Sequence, residues 1–472
     1  MKRMRFNRWC WLAAVVLAVG VCGRDWAESP APAPTVAEPE RIAMEIGTDA
    51  YLYGLPVVQM KHWREQFLKH TPANQFRHFR DYAGTNAPSV PSPNPDVLYS
   101  VAWLDLTKEP VLLSVIEKGD RYFSFQAQNA YGDNGFYASL HGRTDRMEHH
   151  AYVGPGWSGK LPAGVQRFDN ATRLVALVGR TYVAGPADLA AARAVQDSYQ
   201  LTPLSQWPPP PIQSKTNSPS HTATAAVVVG VASEEIEPLQ FFARLDECLH
   251  EEPPTFEYAA PIERFIQIGI GGATPFSPAG LDPATRAGLL RAVPAAKALI
   301  AAAKAKLSSV NGWIIPPATI GKTRVDLIER AAVAATRIGI NSQRECRYLV
   351  GQADAAGQPL ASPGRYVIRF EKDQLPPVDG FWSLTAYRAA DRSLVDNPAG
   401  RYGLKSLDPA LRRGADGSIE VSLQKESPGP DREANWVPTP AGEFVVMLRM
   451  YNPKLFIRGP KWQPPVIQKI GS

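Results

Sequence analysis

One stretch near the start of the chain constrains the fold more than any other, because turn residues there lead directly into a strand. The segment Pro-Asn-Pro-Asp at 93–96 precedes a run at 97–106 in which β-branched and aromatic residues are interspersed with small or polar ones. Odd-numbered residues of that run face one side of the strand, and even-numbered ones face the other. The sequence therefore predicts a strand whose entrance carries the polar side chains of Asn94 and Asp96.

Short strand-like segments of this kind recur in two blocks of the sequence, separated by Gly, Asp, Asn or Pro. In the first block, Phe123, Phe125 and Ala127 face one way and polar side chains face the other, as in an antiparallel sheet with one buried face. In the second block, the run 444–451 is apolar on both faces, which predicts an inner strand. The pattern predicts an α+β, mainly β chain with two antiparallel β-sandwich or jelly-roll-like domains joined by a helical segment.

The sequence between the two blocks has helical periodicity, with an Ala-rich stretch at 283–307. Another helical pattern precedes the first block at 42–68, and we expect Pro56 to kink or end it. Four prolines after Trp207 indicate a linker. We divide the chain into a signal peptide at 1–23, a flexible N-terminus at 24–41, an N-terminal sandwich with leading helices at 42–202, a Pro-rich linker at 203–222, a helical segment at 223–341 and a C-terminal sandwich at 342–472.

The first 23 residues have the layout of a secretory signal, with a basic start and an apolar run at 9–21 that is too short for a comfortable membrane-spanning helix. Because those residues include four Lys or Arg and no acid, their removal lowers the formal net charge from +6 to +2. No basic footprint then remains to indicate nucleic acid as a partner. We expect a periplasmic or secreted protein without a transmembrane span, and a lipid-anchored envelope protein modified at Cys22 is the alternative.

Cysteine and histidine residues do not form a recognisable metal or catalytic motif. Cys248 and Cys346 remain after signal removal, either as two buried thiols or as a disulfide. His149 and His150 are neighbours that point in opposite directions on a strand, so we predict no metal site. The chain lacks G-x-S-x-G, H-E-x-x-H, phosphate-loop and C-x-x-C motifs, which disfavours α/β-hydrolases, zincins, nucleotide enzymes and thioredoxin-like proteins. The sequence does not identify a cofactor.

Several motifs occur in a fixed order along the chain. The first half carries Asn-Pro-Asp-Val-Leu-Tyr-Ser at 94–100, Asp-Leu at 105–106, Asp-Arg-Tyr-Phe-Ser-Phe-Gln at 120–126 and Gly-Arg-Thr at 179–181. The second half carries Pro-Pro-Val-Asp-Gly-Phe-Trp-Ser-Leu-Thr-Ala-Tyr at 376–387, Asp-Asn-Pro at 396–398, Asp-Gly-Ser at 416–418, Asn-Trp-Val-Pro at 435–438 and Leu-Arg-Met-Tyr-Asn-Pro at 448–453. Over about residues 43–467, the chain thereby resembles a bacterial two-domain family whose halves are known as domains of unknown function 1254 and 1214.

This resemblance implies two β-sandwich-type domains joined by a helical segment, often behind an export signal, and it implies no particular activity. The chain departs from the family pattern at one position of the first motif. Members often carry a second Asn where this chain has Pro95. If that Asn contacts a ligand in relatives, this chain lacks one hydrogen-bond donor and acceptor there.

Amide, acidic and aromatic side chains are concentrated in the first block. We predict a polar site made of Asn94, Asp96 and Tyr99 in one half and Gln126, Asn129, Tyr131 and Asn134 in the other. Amides donate and accept hydrogen bonds and Tyr rings cover apolar faces, so such a cleft suits a small-molecule or carbohydrate-like ligand. The alternative is that Asn94 and Asp96 stabilise a turn and the tyrosines fill the sandwich.

The second block carries a corresponding group of candidate ligand-binding residues: Trp382, Tyr387, Asn397, Arg401, Tyr402 and Trp436. The guanidinium of Arg401 could hold a ligand carboxylate or pair with Asp396. Trp382 shares a strand face with Leu384 and Ala386, which favours a place in the core. Trp436 lies in a loop, where sites are often carried, and burial against the sheet is its alternative.

We predict that the protein binds or acts on a small or carbohydrate-like extracytoplasmic compound. In a hydrolytic or lytic enzyme, Asp96 would supply the carboxylate and Tyr99 or Arg401 would stabilise charge. Asp133 and Asp379 are further acids from which a carboxylate pair could be assembled. The alternative is a non-catalytic ligand-binding or assembly module of the cell envelope, and the sequence leaves a homo-oligomer open.

The export prediction can be checked on the mature N-terminus. We expect intact-mass spectrometry of protein purified from the cell envelope fraction to show loss of residues 1–23, because a signal peptidase removes such a leader. A lipid mass on Cys22 would support the lipoprotein alternative. A full-length chain found in the cytoplasmic fraction would contradict both.

Overall fold

The computed structural model describes residues 37–81, 83, 91–116, 121–139, 147–209, 236–317, 319–321, 326–336, 338–397, 400–454 and 462–471. The predicted signal peptide and most of the predicted Pro-rich linker lie outside the described residues. Within the described part, no helix is both long enough and apolar enough to cross a membrane.

The strands before residue 210 form two sheets that pack face to face. They are β1 (Arg77–His78), β2 (Val97–Asp105), β3 (Val111–Ile116), β4 (Phe123–Asn129), β5 (Asn134–Ser139), β6 (Met147–Val153), β7 (Gln166–Asp169), β8 (Leu174–Tyr182) and β9 (Gln200–Pro203). One sheet has the order β1-β2-β8-β4-β5 and the other β7-β6-β3-β9. Leu104, Phe125 and Leu177 of the first sheet share a core with Leu113 and Tyr152 of the second, so the predicted N-terminal sandwich is confirmed.

The later strands form a second sandwich. They are β10 (Ser308–Val310), β11 (Trp313–Ile315), β12 (Cys346–Gly351), β13 (Arg365–Phe370), β14 (Trp382–Arg388), β15 (Gly403–Lys405), β16 (Ile419–Gln424), β17 (Trp436–Pro438), β18 (Phe444–Tyr451) and β19 (Ile467–Gly471). The sheets have the orders β10-β11-β12-β18-β14-β15 and β17-β16-β13-β19, and Leu384 and Leu448 of one meet Ile368 and Val421 of the other. All residues of β18 are buried between β12 and β14, which confirms the predicted inner strand.

Two details of the sheets differ from the sequence prediction. The strand pairs β6–β7 and β16–β17 are parallel, although the rest of each sandwich pairs in the antiparallel sense. The hairpin β10–β11 lies in the segment predicted to be helical and extends the C-terminal sheet. Alternation along a strand predicts which side chains are buried, but it carries no information on the direction of the neighbouring strand.

The described helices, apart from the short one at Leu189–Asp197 that packs beside Leu98 on the other face, form a layer on the outer face of the N-terminal sheet. They are α1 (Glu38–Leu68), α2 (Leu189–Asp197), α3 (Pro238–Glu251), α4 (Phe256–Ala259), α5 (Ile262–Phe265), α6 (Pro283–Ala305) and α7 (Leu327–Ala334). Helices α1, α3, α6 and α7 share a core of their own. Helix α1 also packs on β2, where the ring centroids of Trp63 and Trp103 are 5.3 Å apart. The helical segment therefore covers the sheet face that does not point into the sandwich.

Helix α1 corrects two expectations. It begins at Glu38, inside the segment predicted to be flexible, and it continues through Pro56 to Leu68. A proline inside a helix removes one backbone hydrogen bond and disfavours the helix by about 3 kcal/mol. The side chains around it, such as Tyr53 and Val57, are buried on several sides of α1, and their burial offsets that loss.

Cys248 and Cys346, the two cysteines within the described residues, are both free thiols. Cys248 lies in the helical core, and Cys346 lies beside Phe381 and Tyr451 in a different cluster. Burial raises the pKa of each thiol to about 12. The structure therefore supports the two-thiol alternative rather than a disulfide.

Glycines allow α1 and α6 to approach closely. A Cβ atom on Gly288 of α6 would lie 2.6 Å from the carbonyl oxygen of Glu40, and one on Gly47 would lie 2.6 Å from Leu289 Cδ2. Neither contact is possible for a real side chain, so the two backbones could not keep this separation with a larger residue at either position.

We predict that Gly288→Val lowers the free energy of unfolding by about 2–3 kcal/mol, because overpacking forces the two helices apart. Urea denaturation followed by circular dichroism measures this. Gly280→Val is the matched control, since the nearest atom to a Cβ there is 3.9 Å away. Equal losses for the two variants would contradict the close contact of α1 and α6.

Candidate functional site

The turn before β2 is buried where the two sandwiches meet. Asn94 Oδ1 accepts the backbone N–H of Asp96 at 2.9 Å, and Asn94 Nδ2 donates to the Tyr451 hydroxyl at 2.8 Å. Asp96 is 1% exposed, and its Oδ2 accepts from Ser383 Oγ at 2.5 Å and from the Tyr451 hydroxyl at 3.2 Å. Because Ser383 and Tyr451 belong to β14 and β18, one carboxylate connects the entrance of β2 to the C-terminal sheet.

Arg449 of β18 is fully buried beside the same turn. Its Nη1 donates to Thr385 Oγ1 at 3.0 Å, and its Nη2 donates to the Tyr387 hydroxyl at 2.5 Å and to the Ser92 carbonyl at 3.3 Å. The Tyr387 hydroxyl in turn donates to the Pro93 carbonyl at 2.6 Å. We call this set of buried polar residues the junction cluster: Asn94, Asp96, Ser383, Tyr387, Arg449 and Tyr451.

Tyr99 lies on the outer face of the N-terminal sheet and is half-buried. The guanidinium carbon of Arg180 is 5.6 Å from its ring centroid, and Arg180 Nη2 donates to the Gly339 carbonyl at 2.8 Å. On the same face, the Tyr122 hydroxyl donates to Glu345 Oε1 at 2.5 Å, and burial together with Glu345 raises the pKa of Tyr122. Tyr99 therefore packs between the sheet and the segment that leads into β12.

The other predicted half of the site lies on the β4–β5 hairpin. Asn129 Oδ1 accepts the backbone N–H groups of Tyr131 and Asp133, both at 3.0 Å, and so shapes the turn. Gln126 Nε2 donates to Asn134 Oδ1 at 2.5 Å. The amides on which the prediction rests are thus engaged in building the hairpin.

A segment at 338–342, which we call the strap, crosses this hairpin. The Ile340 carbonyl accepts from Gln126 Nε2 at 2.9 Å and from Asn134 Nδ2 at 3.0 Å. The Ser342 N–H donates to the Tyr137 hydroxyl at 2.8 Å. The strap is therefore fixed to the sheet by side chains of β4 and β5.

A cavity of about 40 Å³ lies between the hairpin, the strap and α7. Its polar lining consists of Gln128, Asp133, Asn134, Thr319, Glu329 and Arg330. Its apolar lining includes Pro56, Val333, Ala334 and Ile338. The predicted residues Tyr131 and Asn134 border this cavity, whereas Asp96 is not among its lining residues. The structure therefore separates the two halves of the predicted site.

Charges of both signs line the cavity. Arg330 Nη2 lies 3.5 Å from Asp133 Oδ2 and donates to the Tyr131 carbonyl at 2.9 Å. Burial raises the pKa of Asp133, and the nearby guanidinium of Arg330 partly offsets this rise. Burial also raises the pKa of Glu329, with a further contribution from Asp326. Both cavity carboxyls are thus easier to protonate than carboxyls in water.

Two buried side-chain oxygens of residues that line the cavity make no hydrogen bond among the described residues: Gln128 Oε1 and Asp133 Oδ2, the latter 3.5 Å from Arg330 Nη2. The side chain of Gln128 is otherwise held, since its Nε2 donates to the Gly132 carbonyl at 2.7 Å. Nearly all buried polar groups in folded proteins have a partner in the protein, in water or in a ligand. Both oxygens have almost no accessible surface, so they are covered by the protein rather than presented to the cavity.

Two family models match the chain, and both describe proteins of unknown function. DUF1254 matches residues 73–203, and DUF1214 matches residues 345–455. The chain belongs to the family that pairs these two domains. The junction cluster therefore connects the DUF1254 half to the DUF1214 half.

A solved structure shares the architecture of this DUF1254–DUF1214 chain. The crystal structure of the VPA0106 protein from Vibrio parahaemolyticus is 22% identical, covers 91% of this chain and 100% of its own, and superposes with a TM-score of 0.67. An uncharacterized protein from Burkholderia cenocepacia is 15% identical over 92% of this chain and 94% of its own, with a TM-score of 0.44. No curated protein matches the chain. The Vibrio protein shows the fold alone.

In the DUF1214 half, the predicted Arg401 binds backbone rather than a carboxylate. Its Nη1 donates to the carbonyls of Glu433 at 2.6 Å and Trp436 at 3.3 Å. Asn397 accepts the Arg401 N–H at 3.1 Å and donates to the Arg401 carbonyl at 2.9 Å. Asn397 and Arg401 therefore stabilise a loop of the sandwich.

The remaining aromatic candidates of the DUF1214 half also have structural contacts. Trp382 lies in the core of the C-terminal sandwich, and Trp436 Nε1 donates to the Gln424 carbonyl at 2.8 Å. The Tyr402 hydroxyl lies 3.4 Å from Asp396 Oδ1. The structure places these residues apart from the cavity in the DUF1254 half.

Histidine and acidic side chains do not assemble a metal site within the described part of the chain, where no group of three His, Cys, Asp or Glu could hold an ion. His149 Nδ1 lies 2.8 Å from Ser114 Oγ, whereas His150 Nδ1 lies 3.1 Å from Gln166 Oε1. The side chain of Asp379 is 63% exposed and lies 3.7 Å from Lys454.

The sequence did not single out Gln128, Glu329 or Arg330 as site residues. Gln128 lies on the polar face of β4. The sequence shows that face, and it could have indicated Gln128, because polar side chains that are buried need hydrogen-bond partners. Glu329 and Arg330 lie in a helix without any motif. Only the tertiary packing of α7 on the hairpin brings them to the cavity.

We predict that Tyr451→Phe lowers the free energy of unfolding by about 2–3 kcal/mol, because it removes a partner from the buried Asp96 carboxylate and from the Asn94 amide. Chemical denaturation measures the loss, and a double-mutant cycle with Asp96→Asn measures the coupling. The control is Tyr366→Phe, whose hydroxyl contacts the backbone of Ala361 at 3.1 and 3.2 Å within one sandwich. A loss no larger than the control's would contradict a stabilising junction.

Proposed function

We propose that the protein binds a small polar ligand, or one polar end of a larger ligand, in the cavity between the β4–β5 hairpin, the strap and α7. The observation that carries this proposal is the lining of the cavity, which combines polar and charged side chains with apolar walls: Gln128, Asp133, Asn134, Glu329 and Arg330 beside Val333, Ala334 and Ile338.

The size of the cavity limits what can enter. A volume of about 40 Å³ has room for only a few water-sized groups. Thr319, Glu329 and Val333 on its lining are half-buried, so the cavity reaches solvent at α7. A larger compound, such as a carbohydrate-like one, would place only one end in the cavity.

We propose a structural role for Asp96 in place of the predicted catalytic one. A carboxylate that acts on a substrate must be reached by it, whereas Asp96 is 1% exposed and holds two hydroxyl donors of the other sandwich. Tyr99 packs under Arg180, and Arg401 binds backbone carbonyls. Ligand binding, rather than hydrolysis at these residues, is therefore the function that the geometry supports. We place this binding outside the cytoplasm because of the predicted signal at 1–23.

We predict that Ala334→Val abolishes ligand binding, because two added methyl groups occupy the cavity while every polar group on its wall is kept. A thermal-shift screen of small polyols, primary amides, alkylammonium salts and carboxylates first identifies a compound that raises the melting temperature of the wild-type protein by about 3 °C or more.

The matched control is Ala332→Val on the same helix, because Ala332 is half-buried and does not line the cavity. The control variant should keep the full shift. Equal shifts in wild type and both variants would place the ligand elsewhere, and the absence of any specific stabiliser in the screen would reject the proposal.

A further inference from the structure

We infer that His250, near the end of helix α3, is a proton-dependent switch that holds the loop at 269–276 when its ring is protonated and releases it when the proton is lost. The switch is independent of the proposed ligand site, because neither His250 nor the loop lines the cavity between the hairpin, the strap and α7. The backbone contacts of the loop, the two contacts of the ring and the charges around the ring each contribute one step.

The loop at 269–276 depends on α3 for its backbone hydrogen bonds. Asp246 of α3 is 3% exposed, and its Oδ1 accepts the Gly271 N–H at 2.7 Å while its Oδ2 accepts the Phe276 N–H at 2.9 Å. Residues 273–275, between these two attachment points, are exposed. His250 lies one helical turn after Asp246 and reaches the Gly272 carbonyl at the start of this exposed part.

The ring of His250 contacts two oxygen atoms that can only accept hydrogen bonds. Its Nδ1 lies 2.9 Å from the Asp246 carbonyl oxygen, and its Nε2 lies 3.0 Å from the Gly272 carbonyl oxygen. A neutral imidazole carries one N–H, whereas the imidazolium carries two, so only the protonated ring donates to both carbonyls. After loss of the proton, one ring nitrogen would direct a lone pair at a carbonyl oxygen. The contact with Gly272 is the one that breaks, because the Asp246 carbonyl belongs to the same helix and stays within reach.

The surroundings of the ring favour its charged form. The hydrogen bond to the Asp246 carbonyl raises the pKa of His250 above the ordinary value of about 6.5, and the Asp246 carboxylate, 3.5 Å from Nδ1, and the Gly272 carbonyl raise it further. Because the pKa is higher in the folded protein than in the unfolded chain, the stabilisation is complete below about pH 6.5. It is lost as the pH rises through the pKa of His250 in the folded protein.

The other charged groups of the surrounding elements have partners of their own. The segment at 269–280 carries no ionisable side chain. Charged residues of α3, α1, α5 and α6 are engaged in the contacts Glu247–Arg244, Glu251–Lys61, Glu251–Arg64, Arg264–Asp49 and Arg286 with the Pro278 carbonyl. Among the described residues, Asp246 is therefore the acid that lies within ion-pair distance of the His250 ring.

The test is a titration of the full mature protein from about pH 5 to pH 9 with two measurements. NMR of ¹³C-labelled histidine follows the His250 ring, and hydrogen exchange, corrected for the intrinsic rate at each pH, follows the Gly271 and Phe276 amides. We expect the ring to titrate above pH 6.5. Over the same titration, the protection of the two amides should fall about threefold, as for one hydrogen bond at a partly exposed site.

His250→Gln removes the titrating ring and keeps a side-chain donor, so the protection of the loop should no longer depend on pH in this variant. The matched control is His70→Gln, which changes an exposed histidine outside the loop and should keep the wild-type dependence. A His250 ring that titrates at or below pH 6.5 overturns the inference. Constant protection in the wild type, or a pH dependence that survives in His250→Gln, also overturns it, and neither result bears on ligand binding in the cavity.

Discussion

The arrangement of the two sandwiches depends on one buried carboxylate. Asp96 stands at the entrance of β2, and its hydroxyl donors come from two strands of the other sandwich. A desolvated carboxylate that loses its donors is penalised by several kcal/mol, whereas two apolar surfaces can slide past each other at little cost. The Asp96 contacts therefore hold the DUF1254 and DUF1214 halves together and also fix their relative position.

Arg449 strengthens this constraint from the opposite side of the same loop. Its guanidinium is fully buried, and its hydrogen bonds go to neutral oxygens of Thr385, Tyr387 and Ser92. The Ser92 carbonyl can accept from Arg449 only when the loop before β2 lies against the C-terminal sheet. Arg449 and Asp96 thus both require the same relative position of the two sandwiches. Together they restrict that position more strongly than either residue would alone.

The alternation of apolar and polar residues was enough to predict strands such as β13, β16 and β18, because burial on one or both faces leaves a direct pattern in the sequence. The same local reasoning correctly predicted that Asp96 lies in a turn. It did not predict the buried environment of Asp96, because Ser383 and Tyr451 are far away in the chain. Pro56 shows the opposite error, in which a strong local rule was overridden by packing around α1. For the cavity, the hairpin residues Tyr131 and Asn134 were anticipated, but Arg330 was not, because a helix without a motif does not reveal what it will face.

The packing of α1 against α6 and α7 has a consequence for how the chain reaches its native state. During synthesis, α1 leaves the ribosome long before its helical partners, and the entire N-terminal sandwich is translated in between. The α1 side chains that pack on α6 and α7 must therefore remain unburied, or be held by a chaperone, until those helices emerge. A contact between such distant segments makes acquisition of the final structure slow and late, because the intervening chain must be ordered before the contact can form.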